Sequence, residues 1–433
     1  MKISFIVPTW HYLNDPFKLQ PYWELYYSTI IKEKLNNPEI KIYDLRGKSR
    51  DNNFENVLSE INEEDFYFYW IMKSGDAIEI YSIVDYLKKK YPNSKHVAGG
   101  THVDMLPEET SKIFDSIVVG PGEESFVNAI NDNCSNKKYF QDYKKHPFLE
   151  TPYPDRSLLP KDTLVNKNMF KQYGDYNATM VYFSRGCFYN CSYCVYNVPN
   201  QLQSKSAALI TQEIRDLKKN YNIQAILLKD EIALNPNKKI FYSQMEAIGK
   251  ENIKWRGQTI SVGTEEHLKI ASETGCLELS VGVETVDNNV MQIINKVWQN
   301  DKIIKTFIEN AKKYGIKIKM CLIFGLPGEP RNIVEKTIKF IDEHKPDYVS
   351  LSGFCPFPGS PIYNSPEKFG IKKIDKNWDN HAHLLYRFSN EEIVGIPFEY
   401  KENAEWGKTF TKKEIVQNIV DVQRWLQENQ MTY

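Results

Sequence analysis

The stretch ATMVYFSRGCFYNCSYC, residues 178–194, runs from an apolar segment straight into three cysteines spaced Cys187-x3-Cys191-x2-Cys194. The apolar part, Met180–Ser184, has the length and side-chain content of a buried strand. A loop at the carboxyl end of a strand is where parallel barrels place their chemistry. Three thiolates on one short loop form a soft metal site. A [4Fe–4S] cluster held by only three cysteines keeps one iron open to a small molecule. A structural zinc site needs a fourth ligand close by, and no histidine follows within reach. The other four cysteines, Cys134, Cys276, Cys321 and Cys355, are scattered, and a total of seven in a chain without a secretory signal argues against a disulfide framework.

Reading downstream, further apolar strands are expected near Ala225–Leu228, Ile253–Arg256, Leu277–Val283, Lys317–Ile323 and Tyr348–Phe354, with amphipathic helices between them. Six strand–helix repeats over residues 178–363 predict a partial (β/α)6 barrel rather than an eightfold one. Upstream, residues 1–131 alternate strands (Lys2–Val7, Lys41–Asp44, Phe66–Ile71, Lys95–Ala98, Ser116–Val119) with helices; Ile80, Ile83, Val84 and Leu87 mark one helical face. This is an α/β, Rossmann-like domain of about five units, whose ligands belong at the carboxyl ends of its strands. Residues 132–177 contain TPYPDRSLLP (151–160), where three prolines forbid regular structure, and read as a linker. Residues 364–433 form a small, mostly helical C-terminal segment on the substrate side. Its final helix should start with a Thr411–Glu414 capping box and bury Ile415, Ile419, Val422 and Leu426.

Composition narrows the function. The chain has 433 residues, with 55 basic against 56 acidic ones, so no net field favours nucleic acid. No run approaches the ~18 apolar residues of a membrane span, and MKISFIVPTW lacks the design of a secretory signal, so a cytoplasmic protein is expected.

With these residues in view, the CxxxCxxC loop after the first strand of a partial barrel resembles the radical S-adenosylmethionine (SAM) superfamily. That resemblance implies a [4Fe–4S] cluster on Cys187, Cys191 and Cys194 that cleaves SAM to a 5′-deoxyadenosyl radical, fed by an external one-electron reductant such as flavodoxin or ferredoxin. It also implies SAM contacts from Tyr193, from Asp230 and Glu231 in LLKDE (227–231), and from Glu284 in GCLELSVGVET (275–285). Lys296 in IINK (293–296), and Gly325 and Pro327 in IFGLPGE (323–329), complete that set. FPGSPIY (357–363) resembles the family's turn after the sixth strand. After Trp255 the chain reads WRGQTIS, with Ile260 where relatives commonly carry Arg; Arg256 or Gln258 could substitute.

The first domain resembles the cobalamin-binding domain of the B12-dependent branch. The resemblance rests on VAGGTHVDMLPEE (97–109) and VVGPGEESF (118–126) and implies contacts from Gly99, Gly100, Thr101, Gly120, Gly122 and Glu123. Glycines at these turns let the backbone approach a bulky ligand. In WIMKSGDA (70–77), Trp70, Met72 or Lys73 would shield the cobalt and Ser74 would hydrogen-bond the nucleotide tail. The Asp-x-His-x-x-Gly signature of an axial histidine is absent, and His102 reads as a supporting or surface histidine. His381-x-His383 has metal-like spacing but no third ligand.

The implied function is cobalamin-dependent C-methylation of an unactivated carbon in a small biosynthetic metabolite. An alternative is another radical reaction (dehydratase, epimerase or ring modification) in which cobalamin is unused. A third reading is a non-enzymatic, electron-carrying cluster. The sequence assigns no catalytic acid or base.

Overall fold

The computed structural model describes residues 1–432 apart from 51–53, 146–147, 196–201 and 382–395. It divides into two compact units. The first comprises Met1–Asn168 with residues 377–381; the second comprises Met169–Lys376 with residues 396–432.

The first unit is built on a parallel sheet ordered β2-β1-β3-β4-β5-β6, with β1 Lys2–Val7, β2 Glu39–Asp44, β3 Phe66–Trp70, β4 Lys95–Gly99, β5 Ser116–Val119 and β6 Lys138–Phe140. The order reverses between β1 and β3, the crevice at which doubly wound sheets hold ligands. Strand β3, FYFYW, is buried throughout because helices cover both faces. On one face Phe5, Phe68, Trp70, Tyr27 and Phe126 interlock, with Tyr27 and Trp70 ring centroids 4.4 Å apart. Helix Ala77–Lys90 buries Ile80, Ile83, Val84 and Leu87, as their periodicity predicts.

Residues 132–168 are not a linker. Lys138–Phe140 pairs with β5 as a sixth strand, and Phe148, Leu159 and Leu164 are buried in the same unit. The Asn, Lys and Pro content hid these anchors because short 3-10 turns need no periodic pattern. The Gln141 side chain also caps helix Gly122–Asn131 from outside it, its Oε1 accepting from Glu124 N and Ser125 N at 3.0 and 3.1 Å.

The second unit holds a parallel sheet whose strands, Ala178–Val181, Ala225–Leu228, Lys254–Thr259, Cys276–Glu284, Lys317–Phe324 and Tyr348–Gly353, pair in chain order. Among the described residues the first and sixth do not pair, so the sheet is open, as a partial barrel requires. The intervening helices start at Ser206, Asn237, Thr264 and Asn300, whose side chains accept from the first turn. Met169 and Phe170 pack against Ala178 and Ala225. Beyond the sixth strand, Ile371–Ile374 pairs antiparallel with Phe398–Tyr400. The final helix, Lys412–Glu428, has the expected Thr411–Glu414 box and buries Ile415, Ile419, Val422 and Leu426. Among the described residues of the C-terminal segment Lys412–Glu428 is the one long helix, and residues 377–381 belong to the first unit.

Candidate active site

In the second unit the first strand leads into the cysteine loop under tight control. Asp230, just past the second strand, accepts from Phe183 N at 2.7 Å and from Ser184 Oγ at 2.6 Å. Gly186 then turns the chain with φ +92°, and its N–H donates to the Glu231 carboxylate. Farther on, Ser192 N donates to Ile294 O at 2.9 Å, Asn295 Nδ2 to Asn190 O at 2.8 Å, and Ile362 N to Ser192 O at 3.0 Å. The loop is therefore clamped by the segments that follow the fourth and sixth strands. FPGSPIY owes its place here to the last of these bonds.

Cys191 is buried, Cys187 and Cys194 are partly buried, and none is in a disulfide. Burial pushes the Cys187 and Cys191 thiols up, and the Lys296 ammonium opposes the shift at both. A positive centre bound by sulfur would reverse it. Among the described residues no three His, Cys, Asp or Glu side chains converge on a single metal ion. Three thiols on one clamped loop, with cationic Lys296 acting on two of them, suit a cluster that takes one thiolate per iron.

Tyr193, Glu284 and Lys296, far apart in sequence, come together. The Tyr193 hydroxyl donates to Glu284, and burial and that carboxylate hold its pKa well above the usual phenol range. Lys296 Nζ donates to Gly282 O at 2.6 Å and lies 3.5 Å from Glu284 Oε1. Glu284 itself sits at φ +70°, an uncommon conformation for a residue with a Cβ, at the end of the fourth strand. Trp298 flanks the group, its ring 5.1 Å from Lys296 Nζ and 4.5 Å from the Tyr189 ring.

Asp230 and Glu231 part company. Both Asp230 oxygens accept from the segment that leaves the first strand, which makes Asp230 a latch on it. Burial raises its pKa to about 7. Glu231, raised to about 8 by burial, keeps Oε2 buried without a hydrogen-bond partner. A buried orphan oxygen at a strand end is a place for a ligand donor. Arg256, offered as a substitute SAM contact, lies 3.5 Å from Glu278 with its guanidinium over the Phe170 ring, toward the amino ends of the strands. Gln258 lies nearer the carboxyl end and is half-buried.

Sequence reasoning missed Glu329. Its carboxylate accepts from Gly325 N at 2.9 Å and Leu326 N at 3.2 Å, closing the turn that contains Pro327, while Tyr400 donates to Gly325 O at 2.9 Å. The signal was present: a carboxylate four residues after a turn glycine can reach back to free N–H groups.

In the first unit the expected residues share one sheet edge, after β3, β4 and β5, but several face inward. The Trp70 ring packs into the aromatic core, and its Nε1 has no partner. A Cβ on Gly99 would meet the Trp70 ring at 2.7 Å, one on Gly100 the Ile71 carbonyl at 2.7 Å, and one on Gly122 the Phe126 ring at 2.7 Å. These glycines thus admit the chain's own atoms. Glu123 is buried and accepts from Tyr26 at 2.9 Å. Met72 and Lys73 are half-exposed, with Thr101 Oγ1 donating to Met72 Sδ at 3.8 Å and Lys73 Nζ lying over the Tyr12 ring. Ser74 Oγ meets His102 Nδ1 at 2.9 Å and the Tyr81 hydroxyl meets Nε2 at 2.8 Å, so neither His102 nitrogen is open to a metal. His381 is described and buried; His383 lies outside the described residues. The loop after β1 lies at the same carboxyl edge. There Glu79 accepts from Thr9 N at 2.6 Å and Thr9 Oγ1 at 2.7 Å, and Tyr12 donates to Asp76 at 3.0 Å.

Comparison with known proteins agrees with this architecture. Residues 181–341 match the Radical SAM superfamily. The chain is 26% identical over 393 residues to an uncharacterized methyltransferase of Pyrococcus horikoshii, covering 85% of this chain and 84% of that one. It is 23% identical over 359 residues to bacteriochlorophyllide d C-8(2)-methyltransferase of Chlorobaculum tepidum, covering 79% and 77%. Among solved structures it resembles the radical SAM methyltransferase TsrM of Kitasatospora setae, with TM-score 0.70 and 14% identity over 98% of this chain and 88% of that one. No helix among the described residues is long and apolar enough to cross a membrane.

Proposed function

From its membership of the radical SAM superfamily, carried by residues 181–341, we propose that this enzyme is a cobalamin-dependent C-methyltransferase acting on a small biosynthetic metabolite. The observation that carries the reading is the presence, in one chain, of two parallel sheets with furnished carboxyl edges. One has three clustered thiols; the other has a switch-point crevice. Relatives named as methyltransferases support it, and two named for bacteriochlorophyllides favour a tetrapyrrole-like substrate.

Cys187, Cys191 and Cys194 would hold the cluster. Glu231 Oε2 and the Glu284–Lys296 pair would meet the ammonium and carboxylate of SAM, with Tyr193 lining the site. Loops 72–76 and 99–102 would hold cobalamin without a protein histidine on its metal. When bound, the cluster supplies the electron for reductive SAM cleavage and cobalamin carries the methyl group. The protein's own part is to fix these groups, to keep the Glu284 carboxylate opposite Lys296, and to exclude water.

Anaerobically reconstituted protein, incubated with hydroxocobalamin and freed of excess, tests this. Retained corrin absorption, together with 5′-deoxyadenosine and S-adenosylhomocysteine formed in equal amounts with substrate, is the expected result. Iron–sulfur absorption without retained corrin would overturn it. A second reading, a radical SAM reaction that makes no use of cobalamin, is favoured by one observation: the space beside Gly99, Gly100 and Gly122 is already filled.

A further inference from the structure

Helix Trp378–Asn380 is one turn long, started by Asn377, whose side chain accepts from Asp379 N at 3.2 Å. Although it follows the whole barrel in sequence, it belongs to the first unit. Trp378 is 4% exposed there, and Arg50 Nη2 stands 3.8 Å from Asp379. Trp378 Nε1 donates to Glu109 Oε1 at 2.8 Å, across 269 residues of chain. Its ring also stands edge-on to His102, with centroids 5.4 Å apart, and to His381 at 4.9 Å.

From Glu109 a polar chain continues inward. The Tyr81 hydroxyl is 2.9 Å from the same Glu109 oxygen and 2.8 Å from His102 Nε2, and His102 Nδ1 is 2.9 Å from Ser74 Oγ. Donor counting fixes its direction. A carboxylate only accepts, so the single Tyr81 hydrogen goes to Glu109 and the Tyr81 oxygen accepts from His102 Nε2–H. Burial, aided by His381, lowers the His102 pKa to about 4, so the ring is neutral and Nδ1 is bare. The Ser74 hydroxyl must donate to it. Ser74 then offers only acceptor capacity to anything else at the crevice. Five elements are tied in series: the turn at 378, the short helix Pro107–Thr110, helix Ala77–Lys90, the loop after β4 and the loop after β3.

We propose that Trp378 is a positioning residue of the first unit, setting loops 72–76 and 99–109 through Glu109, Tyr81, His102 and Ser74, and so setting the crevice for its cofactor. The cofactor part rests on the cobalamin reading above; the positioning part does not. Two variants of the full chain test it, Trp378→Ala, which removes ring and donor, and Trp378→Phe, which keeps the ring. Hydrogen exchange of the protein without cobalamin should be about tenfold faster in peptides 71–77 and 100–111 of the Ala variant, the equivalent of losing about one net hydrogen bond and its packing. The Phe variant should recover much of that protection. Iron content, SAM binding by equilibrium dialysis, and exchange in the second unit should not change. Hydroxocobalamin should bind about tenfold more weakly to the Ala variant. In the Phe variant it should bind with shifted visible bands, because loss of the indole N–H frees Glu109 and reorients the chain ending at Ser74.

Unchanged exchange in both peptides would overturn the proposal. So would a loss of protection spread evenly over both units, which would make Trp378 a general stabiliser. If the wild type retains no cobalamin while the two peptides still respond, the positioning role stands and the cobalamin reading falls. If the wild type retains cobalamin and both variants bind it equally well, with unaltered bands, the link to the crevice is refuted.

Discussion

At the carboxyl edge of the first sheet several polar groups already have partners within the unit: Ser74 and His102 have each other, Glu123 has Tyr26, and Asp104 accepts from Gly120 N at 2.8 Å, while Trp70 Nε1 is buried without one. At the edge of the second sheet Glu231 Oε2 is buried without a partner, Glu284 is held at φ +70°, and three thiols stand outside any disulfide. The two edges share one βα grammar but differ in what they leave unfinished. Unmatched buried polar groups and strained backbone concentrate where something else is to bind. By that measure the second edge offers a carboxylate oxygen beside its three thiols, whereas at the first most of the expected polar groups are engaged with one another.

The largest expected effect tests the second edge. Cys191→Ala should abolish reductive SAM cleavage while circular dichroism and the thermal transition stay near wild type, because the loop is anchored through Asn190 O and the Ser192 backbone rather than through the thiol. Normal cleavage in that variant would break the comparison at its stronger end. Next comes Glu284→Ala. It strips the carboxylate from Lys296, a side chain 1% exposed, and leaves a buried charge with the Gly282 carbonyl and the Trp298 ring beside it. Removing one member of such a pair costs about 3–5 kcal/mol. Chemical denaturation should show that loss, and SAM affinity should fall with it. A stability change under ~1 kcal/mol would mean that Lys296 reaches water when freed.

How much of this was legible in the sequence follows from the same contrast. The strand pattern, the helix face of Ile80, Ile83, Val84 and Leu87, the capping box at Thr411 and the cysteine loop were readable because periodicity, capping and thiol spacing are local signals. The sixth strand of the first sheet was not, because Lys138–Phe140 is three residues long with only Tyr139 buried, too short to show alternation. Asp230 and Glu231 are adjacent and look alike in sequence, yet one latches the first strand and the other keeps an orphan oxygen. Only the neighbouring backbone separates them. In the sequence Trp378 reads only as one of the C-terminal aromatics that could meet a substrate, since its partner Glu109 lies 269 residues away.

A sharper test of the first edge uses its glycines. Gly99→Ala places a Cβ 2.7 Å from the Trp70 ring, and Gly120→Ala places one 2.1 Å from Gln141 O at φ +91°. Each should destabilise the first unit by roughly 1–3 kcal/mol with no ligand present, because backbone or a packed ring must shift. Stability unchanged by Gly99→Ala, with corrin retention lost, would return that glycine to a ligand-facing role and erase the contrast between the edges.

The effect smallest per pH unit is a slope rather than an offset, and it lies in the turn after the fifth strand. Glu329 is buried, and desolvation raises its pKa from 4.5 to about 8, although the Gly325 and Leu326 N–H groups pull the other way. The folded value lies above the unfolded one. Between the two values the unfolded chain has already lost the proton that the folded chain still holds, so stability falls as pH rises through that window. Below pH 4.5 both states are protonated and the contribution is fully present. Glu329→Gln removes the titration and keeps an acceptor oxygen for Gly325 N. The difference in unfolding free energy between wild type and Glu329→Gln should therefore move in favour of the Gln variant from pH 4.5 to 8, by no more than ~1.4 kcal/mol per pH unit, and level off on either side. A difference that stays flat across the window would mean that the two backbone N–H groups outweigh burial and the turn is closed by an ionised carboxylate. The second edge would then hold a buried carboxylate charge at Glu329, and the contrast with the first edge would rest on charge as well as on unmatched atoms.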